Sequence, residues 1–402
     1  MKYKIILFLI LGIDALVLFF QTSELSISYH EATLLYGNIS FLQLLIQSSI
    51  AIFGHNDFAL RFPMILLHLS SALLLYKISK QYIYNEANRL WLILVFVLLP
   101  GVISSAIIVD SAGIIIFGLL LYIYVYQLTQ SRSSYTFVLY TLLFLYMFID
   151  PGFIYLFIAL FFYAFYKKDK VLLIYALFLT GISLYFYGFN TQGLPKGHFL
   201  DSIGIYAAIF TPIIFIYLFY ILYRRFLTKE IDLLWFISAT ALILSLLLSF
   251  RQRVEIEQFA PYLIVALPLG AQTFYSSYRV RLKRFRTKYR VLFTIALLFL
   301  ALNTILVLFN KYFYLVLDEP QKHFAYKMHV AKELALELKK KNIDCVDTKR
   351  SLALRLRFYG IEECKQYILT EKKDDSENGI NVTISYKNKP VYSAYVTNIN
   401  NK

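Results

Sequence analysis

The chain has 402 residues, of which 59% are hydrophobic and 18% aromatic, and its mean hydropathy is +0.61. These values lie far above soluble norms and exclude an ordinary soluble globular domain. The formal charge of +15 does not mark a nucleic-acid binder, because the cations between the apolar runs are concentrated in alternate loops.

The first run, Ile5 to Phe20, follows Lys2 and Lys4. It is longer than a signal-peptide core and residues 19–26 lack a small-x-small cleavage site, so it reads as an anchor. Eleven spans satisfy hydropathy and charge together, near 3–20, 60–78, 90–108, 111–128, 137–149, 152–166, 171–187, 204–223, 231–249, 261–278 and 291–309. Of 40 basic residues, 19 fall in the N-terminus and one set of loops, 4 in the other set and 17 beyond Asn310. That asymmetry is the positive-inside pattern, and it puts the N-terminus in the cytoplasm and the C-terminal tail outside. The densest inner run, Arg279 to Arg290, reads as a topology anchor against anionic lipid.

Between the first two spans, Ser28 to Pro63 sets His30 and Glu31 at the mouth of the first helix. An apolar segment follows, interrupted by Gln43, Gln47, Ser48 and Ser49 at roughly helical spacing. That pattern suits a helix lying in the membrane interface. Asp57, Arg61 and Pro63 close the stretch as loop-anchoring residues.

Ionisable groups in or near a membrane are costly and usually functional or paired. Outside the inner loops and the tail the acids are Asp14, Glu24, Glu31, Asp57, Asp110, Asp150, Asp201, Glu255 and Glu257. All but Asp14 fall at predicted outer ends, so any chemistry faces outward. Asp14 and His68 lie at similar depth in antiparallel spans and predict a structural pair, with a proton relay as the alternative. Asp110 stands before the fourth span, where an Asp caps free N–H groups. Asp150-Pro151-Gly152 predicts a tight turn. Lys196 and His198 belong to a glycine-rich outer loop without phosphate-loop spacing. Arg251 and Arg253 break the positive-inside trend, and a guanidinium fork suits a lipid phosphate. Pairing with Glu255 and Glu257 is the alternative. Tyr262 follows at the entry to the next span.

Beyond Asn310 the composition turns polar and charged. An amphipathic helix is expected over 319–341, a strand near Cys345, a helix near 351–359, and strands over 381–386 and 391–396. This describes a small α/β domain. Its Cys345 and Cys364 are the only cysteines; on the oxidising side they are expected to pair, two free thiols being the alternative. No metal-ligand spacing is visible.

The outer loop resembles that of GT-C glycosyltransferases that use polyprenyl-phosphate sugars, in particular the protein O-mannosyltransferases and the lipid A aminoarabinose transferases. Their loop opens with Asp-Glu-Ala, runs through an interfacial helix, and ends in Phe-Gly, an acidic-apolar pair and Arg-Leu-Pro. Here the matching residues are His30-Glu31-Ala32, Phe53-Gly54, Asp57-Phe58-Ala59 and Arg61-Phe62-Pro63. His30 stands where the family carries the aspartate taken as its base.

The resemblance implies a GT-C-like α-helical polytopic membrane domain over 1–309, with a reaction loop over 21–59 and an extracytoplasmic α/β domain over 310–402. It implies an inverting transfer from a polyprenyl-phosphate sugar to a lipid, glycan or protein acceptor at the outer face of a bacterial-type inner membrane. Glu31 is the first choice of base and His30 the second, an imidazole being competent near neutral pH. Asp110 matches a family acid in position. Arg251 and Arg253, backed by Lys196 and His198, would hold the lipid phosphate. The donor lipid is the only small molecule implied, and no nucleic-acid partner is expected. A catalytically silent relative acting as a lipid-binding or partner subunit, and a transporter or flippase, remain the alternatives.

The charge asymmetry yields a direct test. A cysteine introduced by Arg286→Cys should react with an impermeant maleimide only after the membrane is opened, and one introduced by Lys387→Cys should react from outside. The reverse pattern overturns the assignment of sides.

Overall fold

The computed structural model describes residues 2–188, 197–371 and 380–398. The helices in chain order are α1 (Lys2–Glu24), α2 (Tyr29–Tyr36), α3 (Phe41–Phe53), α4 (Asp57–Ile78), α5 (Glu86–Leu98) and α6 (Pro100–Ile107). There follow α7 (Ser111–Thr129), α8 (Tyr135–Ile149), α9 (Ile154–Lys167), α10 (Lys170–Tyr187), α11 (Phe199–Phe210) and α12 (Pro212–Thr228). The series ends with α13 (Leu233–Ser249), α14 (Ile256–Ile264), α15 (Leu267–Val280), α16 (Lys283–Leu308), α17 (Lys327–Lys340) and α18 (Arg350–Phe358). Starts are set by short polar side chains. Ser28, Ser40, Asn85, Asp110, Asp169 and Asp232 each accept a bond from a first-turn N–H, satisfying donors the helix leaves free.

The chain is a helical polytopic membrane protein with a small C-terminal sheet. Among the described residues, α1, α4 with the turn after it, α7, α10 and α16 are each long and apolar enough to cross a bilayer. The surface of α1, α10 and α16 is largely exposed and apolar, with Phe8, Leu16, Ile174, Phe178 and Leu298 facing out. Such a face suits lipid tails and not water.

Every predicted span falls on helix, but three are not single rods. The 90–108 segment bends by 61° between α5 and α6, where Pro100 opens the second piece. The 204–223 segment turns by 107° between α11 and α12, with Thr211 at φ +64° ahead of Pro212. The 261–278 segment divides between α14 and α15, the latter with Pro268 in its first turn. Proline lacks the N–H that would bond back and crowds the preceding turn, so hydropathy alone overruns these breaks.

The structure falls into two units, Met1–Leu18 with Met64–Thr304, and Phe19–Pro63 with Ile305–Lys402. In the first, His68 Nε2 and Asp14 Oδ2 lie 2.7 Å apart, the pair their matching depths predict. Thr304 Oγ1 on α16 donates to the Leu98 carbonyl at the end of α5 (2.7 Å), which lies free because Leu99 starts the bend.

In the second unit β1 (Tyr367–Thr370), β2 (Ile380–Tyr386) and β3 (Lys389–Asn398) form an antiparallel sheet in the order β1-β3-β2. Lys387 and Asn388, at φ +47° and +69°, make the two-residue turn of the β2–β3 hairpin. Its core joins Ala331, Leu334 and Leu338 of α17 and Leu352 and Leu356 of α18 to Val382, Ile384, Ala394 and Val396 of the sheet. Cys345 and Cys364 are disulfide-bonded, with Cα atoms 5.5 Å apart. The expected strand at Cys345 is reduced to single bridges, Cys345 to Glu362 and Asp347 to Ile368. The expected helix over 319–341 begins only at Lys327. His323 folds back onto the chain ahead of it, its Nδ1 accepting from Ala325 N (3.0 Å) and its Nε2 lying 2.8 Å from the Asn310 carbonyl.

His329 on α17 is buried, with Nδ1 2.9 Å from the Tyr314 hydroxyl. Burial, with Lys311 and His323 nearby, lowers its pKa from 6.5 to about 3. The folded state therefore prefers neutral His329, while the unfolded chain binds a proton below about pH 6.5. This contribution is complete above that pH and is lost as the pH falls toward the folded value. Limited proteolysis of the C-terminal unit should accordingly be faster at about pH 5 than at about pH 7.5, measured as the thermal midpoint of cleavage to cancel protease pH effects. His329→Leu should remove most of the difference. An unchanged difference in that variant assigns the pH dependence elsewhere.

Candidate active site

The second unit contains the end of α1, α2, α3 and the first turns of α4. α1 stops at Glu24, leaving carbonyls without helical partners. Arg61 of α4 collects them: Nη1 donates to the carbonyls of Leu25 (2.7 Å) and Thr22 (3.3 Å), and Nη2 to that of Ser26 (3.0 Å). Its remaining donors form a fork on Glu31, Nε to Oε1 at 3.2 Å and Nη2 to Oε2 at 3.1 Å. Both side chains are 0% exposed.

Glu31 is also the third residue of α2. Ser28 Oγ accepts from Glu31 N (3.1 Å), and Glu31 Oε2 accepts from Ser28 N (2.7 Å). This capping box could have been found in the sequence from the Ser28-x-x-Glu31 spacing. Glu31 thus fastens both the start of its helix and the guanidinium, and its carboxylate does not face solvent. Its neighbour His30 is exposed. One residue on a helix turns the direction by about 100°, which separates the two.

Asp57, at the start of α4, is buried and takes two donors, the Tyr359 hydroxyl at 2.6 Å and Lys332 Nζ at 2.8 Å. Tyr359 Oη accepts from Ile27 N (2.8 Å), and Lys332 also donates to the Ser23 carbonyl (2.8 Å). Burial and the Asp57 charge push the Tyr359 hydroxyl pKa well above its usual value, so it remains a donor. Ser26 N adds a bond to the Met328 carbonyl (2.8 Å). Tyr359 and Lys332 were not singled out from the sequence, although Leu356-Arg357-Phe358-Tyr359-Gly360 carries the aromatic signal. His55 packs on Phe358 and Arg357 lies over Tyr36, so α18 lies along this loop.

α3 turns Gln43 and Ser49 inward and leaves Gln47 and Ser48 exposed. Gln43 Nε2 donates to the Leu35 carbonyl (2.9 Å) and Ser49 Oγ to that of Ala59 (2.6 Å). Phe41, Leu44, Ile52 and Phe53 are exposed instead, an apolar outer face suited to the membrane interface.

The other candidates lie in the first unit. Asp110 is half-buried and caps α7, accepting from Ala112 N at 2.9 Å. Asp150 accepts from Gly152 N at 2.7 Å, making the expected turn. Tyr262 is fully buried and pins that turn, donating to the Gly152 carbonyl (2.7 Å) and accepting from Leu156 N (3.1 Å). Arg251 and Arg253 are exposed just after α13. Among the described residues no ion pair joins them to Glu255 or Glu257; Glu255 takes Gln258 Nε2 at 2.8 Å. His198 N donates to the Ser249 carbonyl (2.8 Å), which sets His198 beside the end of α13 that leads to Arg251. Its ring lies 3.1 Å from Asp201. Lys196 lies outside the described residues.

The fold is that of a solved membrane-protein structure, ArnT. It is shared with the crystal structure of ArnT from Cupriavidus metallidurans in the apo state, at a TM-score of 0.56 and 11% identity. The same ArnT bound to undecaprenyl phosphate superposes at a TM-score of 0.60 and 10% identity. Each alignment covers 97% of this chain and 97% of that chain. The sequence matches no protein-family model and no curated protein.

The Arg61–Glu31 geometry has a measurable consequence. Removing one partner of a buried pair strands the other, at about 3–5 kcal/mol. Arg61→Met should therefore lower the melting temperature more than Glu31→Gln, because it also abandons three carbonyls. Arg61→Lys should recover little, since an ammonium cannot reproduce the planar fork. A wild-type melting temperature for Arg61→Lys contradicts this reading.

Proposed function

We propose that the chain is an integral membrane glycosyltransferase that moves a sugar from a polyprenyl-phosphate donor to a lipid, glycan or protein acceptor. The reaction takes place at the outer face of a bacterial-type inner membrane. Eleven crossings put the N-terminus in the cytoplasm and the domain from residue 310 outside. The observation that carries the proposal is the likeness, along nearly the whole chain, to ArnT bound to undecaprenyl phosphate. The outer loop supports it, with an exposed imidazole next to a fixed carboxylate at the mouth of α1 and an interfacial helix behind it.

In this proposal a basic group takes the proton of the acceptor hydroxyl, whose oxygen attacks the anomeric carbon in line. The bond from that carbon to the phosphate oxygen breaks, and polyprenyl phosphate leaves with its pair of electrons. His30 is the better-placed base, because the Glu31 oxygens are held by Arg61 and Ser28. Glu31 becomes a positioning residue that fixes the start of α2. Asp110 is a second carboxylate candidate, its cap on α7 being compatible with a role toward substrate. Arg251 and Arg253, with His198 and Lys196, stabilise the charge on the departing phosphate. Arg61 is spent on the backbone and anchors the loop.

One observation favours a second reading. An enclosed Glu31 beside a histidine is also what a silent relative would keep for structure while serving as a lipid-binding or partner subunit. Purified protein supplied with undecaprenyl-phosphate sugars and membrane acceptors separates the two through release of undecaprenyl phosphate. The proposal expects release that falls about 100-fold or more in His30→Asn and persists in His30→Asp. Absence of release with every donor favours the second reading, and undiminished release in His30→Asn removes His30 as base.

A further inference from the structure

The proposed transfer chemistry leaves a large cavity in the first unit unused. It has a volume of about 1050 Å³ and lies among the ends of α12 and α15, the start of α13 and the first turns of α16. Arg224, Arg225 and Arg281 line it, together with Gln272, Ser277 and two acids, Glu230 and Asp232, so that the cations outnumber the carboxylates by one. The three arginines belong to the basic loops that the positive-inside rule assigns to the cytoplasmic side.

Arg225 is 7% exposed, and a guanidinium that deep needs its donors filled. Nη2 donates to Gln272 Oε1. Nη1 is held only loosely, 3.6 Å from Asp232 and 3.4 Å from the Glu230 carbonyl. The Nε–H is buried and has no partner among the described residues. Asp232 is itself partly engaged, since its Oδ1 accepts from Trp235 N at 3.0 Å.

The other two arginines are held at the cavity without a carboxylate. Arg224 reaches Ser277 Oγ at 3.5 Å. Arg281 lies 4.3 Å above the Tyr289 ring. Arg286 donates to the carbonyls of Arg281 (2.8 Å) and Arg279 (3.0 Å), which fixes the turn that presents Arg281. Among the described residues neither Arg224 nor Arg281 forms an ion pair. A roomy cavity with three guanidinium groups, one carrying an idle buried N–H, fits an anion with several acceptor oxygens. Phosphate is the group for which a guanidinium fork is best shaped.

We propose that this cavity is a second phosphate-binding site, distinct from the donor site, which takes the phosphate of an anionic lipid headgroup or of a small soluble phosphate. The full-length protein can be tested by native mass spectrometry with phosphatidic acid, phosphatidylcholine and inorganic phosphate as probes. The expected result is a phosphatidic acid adduct at least about tenfold tighter than the phosphatidylcholine one, the scale of one charge-assisted bond. It should weaken by a similar factor in Arg225→Gln and in the double variant Arg224→Gln with Arg281→Gln. The double variant changes only exposed side chains and guards against loss of folding in the buried one. Displacement by millimolar inorganic phosphate supports a site for free phosphate, and persistence of the adduct supports a lipid headgroup. Equal phosphatidic acid affinity in wild type and the double variant overturns the site, as does equal affinity for the two lipids.

Discussion

Arg61 has five N–H groups, and all five are used within one stretch of chain. Three go to the carbonyls of Thr22, Leu25 and Ser26 and two to Glu31. A membrane helix that ends in an irregular segment exposes acceptors which cannot be left bare. One planar side chain satisfies them and in the same act fixes the carboxylate that opens α2. The length of the 25–28 connection, the start of α2 and the position of His30 all depend on this contact. Asp57 repeats the device one turn earlier on α4, drawing Tyr359 and Lys332 to the same segment from sequence-distant helices.

This arrangement explains why a loop between two spans can hold a fixed geometry. Residues 22–28 are bonded through their backbone at Thr22, Ser23, Leu25, Ser26, Ile27 and Ser28, so little of the segment is free to move. Sites that act by positioning need supporting groups of this kind, because a shift of about 1 Å can cost two orders of magnitude in rate. Two of the polar residues of α3 serve the same end. Gln43 and Ser49 bond inward to the ends of neighbouring helices, and the apolar side chains left outside suit lipid.

Much of the helical framework was legible in the sequence because hydropathy and charge placement act over whole segments. Asp14 and His68 could be paired from depth alone, and the caps at Ser28 and Asp110 follow from residue type. The breaks at Leu99, Thr211 and Val265 were not legible, since a proline within an apolar run marks a kink without giving its angle. The roles of Glu31 and Arg61 were visible only in part. Their spacing flagged them, yet the fact that Arg61 is consumed by carbonyls 35 to 39 residues away is a tertiary result. Tyr359 and Lys332 lie about 300 residues from Asp57, and no local pattern encodes that meeting.

The central proposal is that Arg61 holds the loop and that Arg251 and Arg253, not Arg61, are the cations for the donor phosphate. A density map of the protein with undecaprenyl phosphate bound tests this most directly. The account expects phosphate density against Arg251 or Arg253, with Arg61 still forked on Glu31. Phosphate bonded to Arg61, with the Glu31 pair broken, would contradict it.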